Sequence, residues 1–431
     1  MRVGPRACAI VGVGVLCLAG WLPSRLGAQR GGMFQGSADD PAIAYTTAPV
    51  ANVVDDLNKR LRDGSAELRF DGRSGYLQSA IDALKLPVDS QLLVFSKTSL
   101  QRQAISPSNP RALFFNDRVV LAWVRDGDLL EVAAHDEKAG VVFYSLEQRP
   151  TERPVFTREF RCLACHMTGD TLGVPGLLMF STTPDTDGRP ARMVATDQRS
   201  PLTQRWGGWF VTGSSGAATH RGNEAPALEG HPRGDIASVD GLFDPNGFRA
   251  ASSDIAALLT FSHQTQMINL LTRASWEARA ADPALHPGVL TAPGQMQLVQ
   301  MVTSAVAEEV VDYMLFVDEA PLPSSVAGRS GFAERMSASG PRDRQGRSLY
   351  ELDLKQRLMK YPCSYLIYSP AFDALPPLAK EPIYRRMWQV LGGEARESRY
   401  RSLSLADRRA VVEILRDTKP DLPAYFTAVT K

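Results

Sequence analysis

Cysteine is scarce in this chain: five residues in 431, of which Cys8 and Cys17 lie close to the N-terminus. The other three, Cys162, Cys165 and Cys363, are too few for the disulfide framework of a small secreted scaffold. An excess of charge of either sign is also missing. Lys and Arg together number 48 and Asp and Glu 47, which leaves no electrostatic footprint for nucleic acid or an anionic lipid surface. Ala7 to Leu22 is apolar and uncharged, but it falls short of the about 20 residues that span a bilayer. No internal repeat is visible, which excludes solenoids and propellers.

What is present begins with a leader. Arg2 and Arg6 precede the apolar stretch, and Leu26-Gly27-Ala28 ends it with a small residue suited to signal peptidase. Residues 1–28 therefore read as a Sec-type signal peptide, with the mature chain starting at Gln29 in the periplasm or outside the cell. An uncleaved leader is the one route to a membrane. No twin arginine precedes it, and neither Cys8 nor Cys17 has the small-residue context of a lipoprotein site. The leader carries Arg2, Arg6 and Arg25 and no acid, so 45 basic face 47 acidic side chains afterwards, a net of −2.

The mature chain is long enough for two or three packed units. Residues 29–47 are polar and small, and read as a flexible tether. Residues 48–150 read as a β-rich domain after a short helix near Leu77–Leu84. Its strands are expected at Gln91–Ser96, Arg111–Phe115, Arg118–Arg125, Leu129–His135 and Gly140–Leu146, with Asn116-Asp117, Asp126-Gly127 and Lys138-Ala139-Gly140 as turns. Val119, Leu121 and Trp123 alternate as if one face were buried. Residues 151–250 are rich in Gly and Pro, with strands expected at Gly176–Ser181 and Gly207–Thr212. Residues 251–431 read as helical, with helices near Asp254–Ala281 and Gln295–Val317. Ser348-x-x-Glu351 and Ser404-x-x-Asp407 look like capping boxes, and Pro382 and Gly392-Gly393 bracket a further helix. The expected fold class is α+β: an N-terminal meander, a loop-rich middle and a helical C-terminal region.

Within the middle region stands Cys162-Leu163-Ala164-Cys165-His166. This C-x-x-C-H spacing is the attachment signature of a c-type haem. Two thiols add across the two vinyl groups of one porphyrin edge, and the following imidazole then lies beneath the iron. Random placement would produce the pentapeptide in about one chain in a thousand of this composition. Cys162 and Cys165 are thus the expected covalent anchors of one haem c, and His166 its proximal iron ligand. The other ring nitrogen of His166 needs an acceptor to fix its tautomer, and a carbonyl at Val174-Pro175 is placed to supply it.

The sixth iron position separates electron transfer from catalysis. His263, in a helical stretch, and His220, after a glycine-rich loop, rank level as candidates. Met193 follows, then an open site. Met179 reads as core and Cys363 as a small buried hydrophobe. Arg273 could reach a propionate. His135, His231 and His286 lie near turns or prolines and read as solvent-facing. A thioredoxin-like dithiol needs a core strand directly before the cysteines, which Thr157–Arg161 does not resemble. Structural zinc would need two more good ligands.

At Cys162, Cys165 and His166 the chain resembles the c-type cytochromes. The stretches Arg205–Gly213, His263–Met267 and Tyr361–Ser369 are similar to those of large, secreted, single-haem bacterial proteins of unassigned activity. The resemblance implies covalent haem, electron transfer and a redox partner protein, and implies no substrate. The expected function is an exported monohaem electron carrier rather than a catalyst. The alternatives are a peroxidase-like haem oxidoreductase with an open distal site, or a haem-based redox or gas sensor subunit.

Overall fold

The computed structural model describes residues 37–185, 189–224, 228, 235–285 and 293–429; the expected leader, His231 and His286 lie outside these. Six strands, β1 (Leu92–Val94), β2 (Arg111–Phe115), β3 (Val119–Trp123), β4 (Leu129–Asp136), β5 (Gly140–Glu147) and β6 (Thr157–Arg158), form one antiparallel meander in chain order. The turn residues set its register, with Phe115 opposite Val120 and Asp136 opposite Gly140. The fold class is α+β, as the hydrophobic patterns indicated.

The meander is buried on both faces, contrary to the expected single one. Leu93, Phe114, Leu121, Val132 and Tyr144 pack with Val54 and Leu57 of α1 (Val53–Asp63) and Leu77 and Ile81 of α2 (Leu77–Ala83). Leu113, Phe115, Val120, Ala133 and Phe143 face the opposite core, which is built on the long helix that follows the motif region. Residues 37–47 are not a tether where they are described. Ile43 and Tyr45 join the first core, and the Tyr45 hydroxyl donates to the Val141 carbonyl at 2.9 Å.

The motif helix α3 (Leu163–His166) follows β6, and a two-stranded hairpin, β7 (Phe180–Pro184) and β8 (Pro190–Ala195), follows it. The strand expected at Gly176–Ser181 thus begins later. Gly207–Thr212 is not a strand. Its carbonyls instead receive the Thr182 amide (at Gly207) and the Phe95 amide (at Gly208), bridging hairpin and meander.

The helices are α4 (Ile255–Ala280), α5 (Pro293–Met314), α6 (Phe332–Ala338), α7 (Pro370–Asp373), α8 (Pro377–Leu391) and α9 (Leu405–Thr418). Helix α4 is the axis of the molecule, with 22 of its 26 residues buried. Phe261 on α4 meets Phe115 at 4.8 Å between ring centres. Ser404 caps α9 as expected, accepting from the Asp407 amide. Ser348 and Glu351 form only a turn, with the Ser348 amide donating to the Glu351 carboxylate at 3.0 Å. Pro382 lies inside α8 rather than at its start, which is Pro377. Among the described residues no helix is long and apolar enough to cross a membrane.

Asp254 holds the start of α4. One carboxylate oxygen accepts from the Ala256 amide at 2.8 Å, and the other from the Arg329 and Ser330 amides at 2.7 and 2.8 Å. Asp254→Ala removes the cap and leaves buried amides unpaired. We expect a loss of about 3 kcal/mol, read as a lowered urea midpoint, with Asp254→Asn losing less.

Candidate functional site

The motif turn grows out of the sheet edge. Strand β6 pairs with β5 at Ser145–Thr157 and Tyr144–Arg158. The Leu163 amide then donates to the Phe160 carbonyl, and the His166 amide to the Cys162 carbonyl at 2.9 Å, closing one turn of helix. Positions three apart on a turn share a face, so Cys162 and Cys165 lie side by side with His166 next to them. The three cysteines among the described residues are free thiols; Cys165 is exposed, Cys162 half-buried and Cys363 fully buried. Cys162, Leu163, Leu172 and Leu177 rest against the core of α4.

His166 is held from behind. Its Nδ1 lies 2.9 Å from the Gly176 carbonyl oxygen. A carbonyl only accepts, so Nδ1 carries the proton and the lone pair sits on Nε2, the form that binds a metal. The Gly176 amide donates back to the His166 carbonyl at 2.8 Å. The acceptor is thus two residues beyond the Val174 carbonyl, just before Pro175, that the sequence pointed to. Burial lowers the pKa of His166, partly offset by the Gly176 bond, and keeps the ring neutral. Phe143 packs beside it, 4.9 Å between ring centres.

The loop that returns Gly176 to the histidine is tied to α4. Asn269 is fully buried. Its Oδ1 accepts from the Leu177 amide at 3.0 Å, and its Nδ2 donates to the Leu177 carbonyl at 2.9 Å. A Cβ at position 176 would stand 2.2 Å from Asn269 Oδ1, so glycine is required there for room. Sequence reasoning passed over Asn269, although a lone amide among Met267, Ile268, Leu270 and Leu271 is the signature of a buried group with fixed partners. It also passed over Arg111 and Glu131, a 3.3 Å ion pair whose charges both act on His166.

Burial, and then the carboxylates of Glu131 and Glu159, push Cys162 up to about 11, whereas exchange chemistry needs a lowered thiol. Burial likewise raises Cys363, in keeping with a core role. Among the described residues no three His, Cys, Asp or Glu side chains converge as a metal site. The motif nevertheless fits a haem, because porphyrin iron asks the protein only for axial donors, and His166 offers one beside two free thiols.

The candidate sixth ligands are placed differently. His263 is buried, with Nδ1 2.5 Å from Gln198 Oε1 and Nε2 2.7 Å from Ser364 Oγ, between the rings of Tyr313 and Phe316. Both nitrogens are engaged with the protein. His220 Nδ1 accepts from the Gly222 amide at 3.0 Å, which occupies the lone pair of the neutral ring. Met193 lies on the outer strand β8 and is 49% exposed. Met179 is core, its sulfur accepting from Ser262 Oγ. Arg273 is committed to Glu277 and Glu309, at 2.6 and 2.9 Å, rather than free for a propionate. His135 is half-buried on β4 rather than solvent-facing, and burial lowers its pKa to about 4.

The chain matches no family model, no curated protein sequence and no solved structure.

Proposed function

We propose that this protein is an exported monohaem c-type cytochrome that passes single electrons to and from a partner protein. One observation carries the proposal: a neutral imidazole, His166, sits one residue after two free thiols on a single turn, its Nδ1–H fixed on the Gly176 carbonyl and its Nε2 left for a metal. Haem bound there would supply one-electron chemistry, with a potential set by axial donors, hydrogen bonding and burial. The chain's own part is to fix and orient the axial imidazole, to wall one side with Phe143, and to place the Arg111–Glu131 pair nearby. The exposed Cys165 supports an approach for a redox partner at that edge. The N-terminal leader supports export, the compartment in which haem is joined to such thiols.

A second reading is an open-faced haem oxidoreductase or gas sensor. It is favoured by the engagement of His263 and His220, which leaves Met193 or no side chain as the sixth donor. Absorption spectra of the exported protein, produced with a haem-attachment system, distinguish the two. A low-spin ferric spectrum, with a reduced form indifferent to carbon monoxide, supports the carrier. A high-spin spectrum with rapid carbon monoxide binding replaces it with the open-site reading. Met193→Ala converts the first spectrum to the second if that sulfur is the sixth donor.

A further inference from the structure

We infer that Asn269 is a positioning residue for the iron's proximal ligand, acting through the main chain of Gly176 and Leu177; the inference rests on the haem reading of His166. The connection is short and continuous. His166 Nδ1–H donates to the Gly176 carbonyl at 2.9 Å. The next residue, Leu177, gives both its amide and its carbonyl to the Asn269 side chain, at 3.0 and 2.9 Å. This two-point grip is the pattern one strand offers another, made here by one side chain. The Leu177 amide lies in the same peptide plane as the Gly176 carbonyl, so holding it fixes the direction in which that carbonyl points.

Three features argue that the grip serves the histidine rather than general packing. Asn269 projects from α4, a long helix with 22 of its 26 residues buried, so its position is preorganised. A polar amide in such a setting is costly unless its groups are matched, and the Leu177 main chain matches them. Gly176 has no room for a side chain because Asn269 occupies it. The close approach falls at the residue whose carbonyl accepts from the imidazole N–H. A firm acceptor on Nδ1–H raises the basicity of Nε2 and stabilises the more oxidised metal. Asn269 therefore holds the reduction potential down.

The test uses the full exported chain loaded with haem. Asn269→Ala keeps covalent haem, by mass, and a cooperative melt, while the ferrous form gains about tenfold, an upward shift of ~59 mV for one electron. The His166 Nδ1–H resonance exchanges faster with solvent in the same variant. Gly176→Ala raises the potential in the parent, but by less once Asn269 is already Ala, because the 2.2 Å approach to Asn269 Oδ1 is then gone and only the 3.2 Å approach to Thr171 Cβ remains; this non-additivity is the mark of direct contact. Should Asn269→Ala fail to accumulate, Asn269→Asp carries the test. Its ionised form cannot donate to the Leu177 carbonyl, so its potential becomes pH-dependent and returns towards the parent value in acid. Haem-loaded variants with an unchanged potential, or additive effects of the two substitutions, overturn the inference alone. A parent chain that acquires no haem overturns the functional reading, and the inference with it.

Discussion

Exported alongside a haem-attachment system, a chain carrying Cys162→Ala and Cys165→Ala will have the mass of its polypeptide only, while the parent will be heavier by one haem that survives denaturation. No other substitution in this molecule has so large an expected effect. The two thiols are neighbours on one turn, and the one other thiol among the described residues, Cys363, is fully buried. Either single variant is expected to keep one thioether and lose haem yield. His166→Ala acts differently: both thiols remain, so covalent haem is retained in part, but the axial imidazole is gone and the spectrum becomes high-spin. A parent protein of plain polypeptide mass would sink the proposal. The same mass change with an unaltered His166→Ala spectrum would remove His166 from the iron.

The second large effect concerns acid. In the unfolded chain His263 takes up a proton near its ordinary value of 6.5, but burial holds it down to about 3 in the folded protein. Between those values the unfolded state binds the extra proton, so acid favours unfolding. The contribution is fully present above pH 6.5 and is lost as the pH falls towards 3, at about 1.4 kcal/mol per pH unit. His135, lowered to about 4, adds a second proton over the upper part of that window. Glu319, which burial raises from 4.5 to about 7, takes up its proton first in the folded state and offsets one ring above about pH 4.5, so the loss is expected to steepen below that value. Urea midpoints at a series of pH values measure it. His263→Leu should be less stable at neutral pH by about 3 kcal/mol, because Gln198 and Ser364 lose their partner. Its acid slope should also be shallower. Equal slopes in the two proteins would show that this ring does not govern the acid response.

Local chemistry wrote much of the architecture plainly. The meander was visible because Asn116-Asp117 and Asp126-Gly127 break runs of Val, Leu, Phe and Trp. Helices α4 and α5 showed their apolar spacing. The motif turn was legible because its two cysteines and the histidine stand at fixed separation within five residues. Long-range pairing was not. Val119, Leu121 and Trp123 read as one covered face, since nothing local says that a helix about 130 residues downstream covers Val120 and Ala122. The tether reading of residues 37–47 failed for the same reason: Tyr45 is stabilised by Val141, far along the chain. Ser348 and Glu351 have a capping pair without a helix behind it, because the pair also closes a turn. Helix α1 was missed despite its Asn52 cap and the left-handed Gly64 after it. At the site, His263 looked like a ligand because its partners, Gln198 and Ser364, are 65 and 101 residues away.

The tie between Leu177 and Asn269 spans 92 residues. The Gly176 carbonyl is therefore fixed only while α4 is folded in place, however sound the meander is by itself. Opening of α4 should release the Leu177 amide in the same step, read as matched hydrogen exchange of that amide and the buried amides of α4.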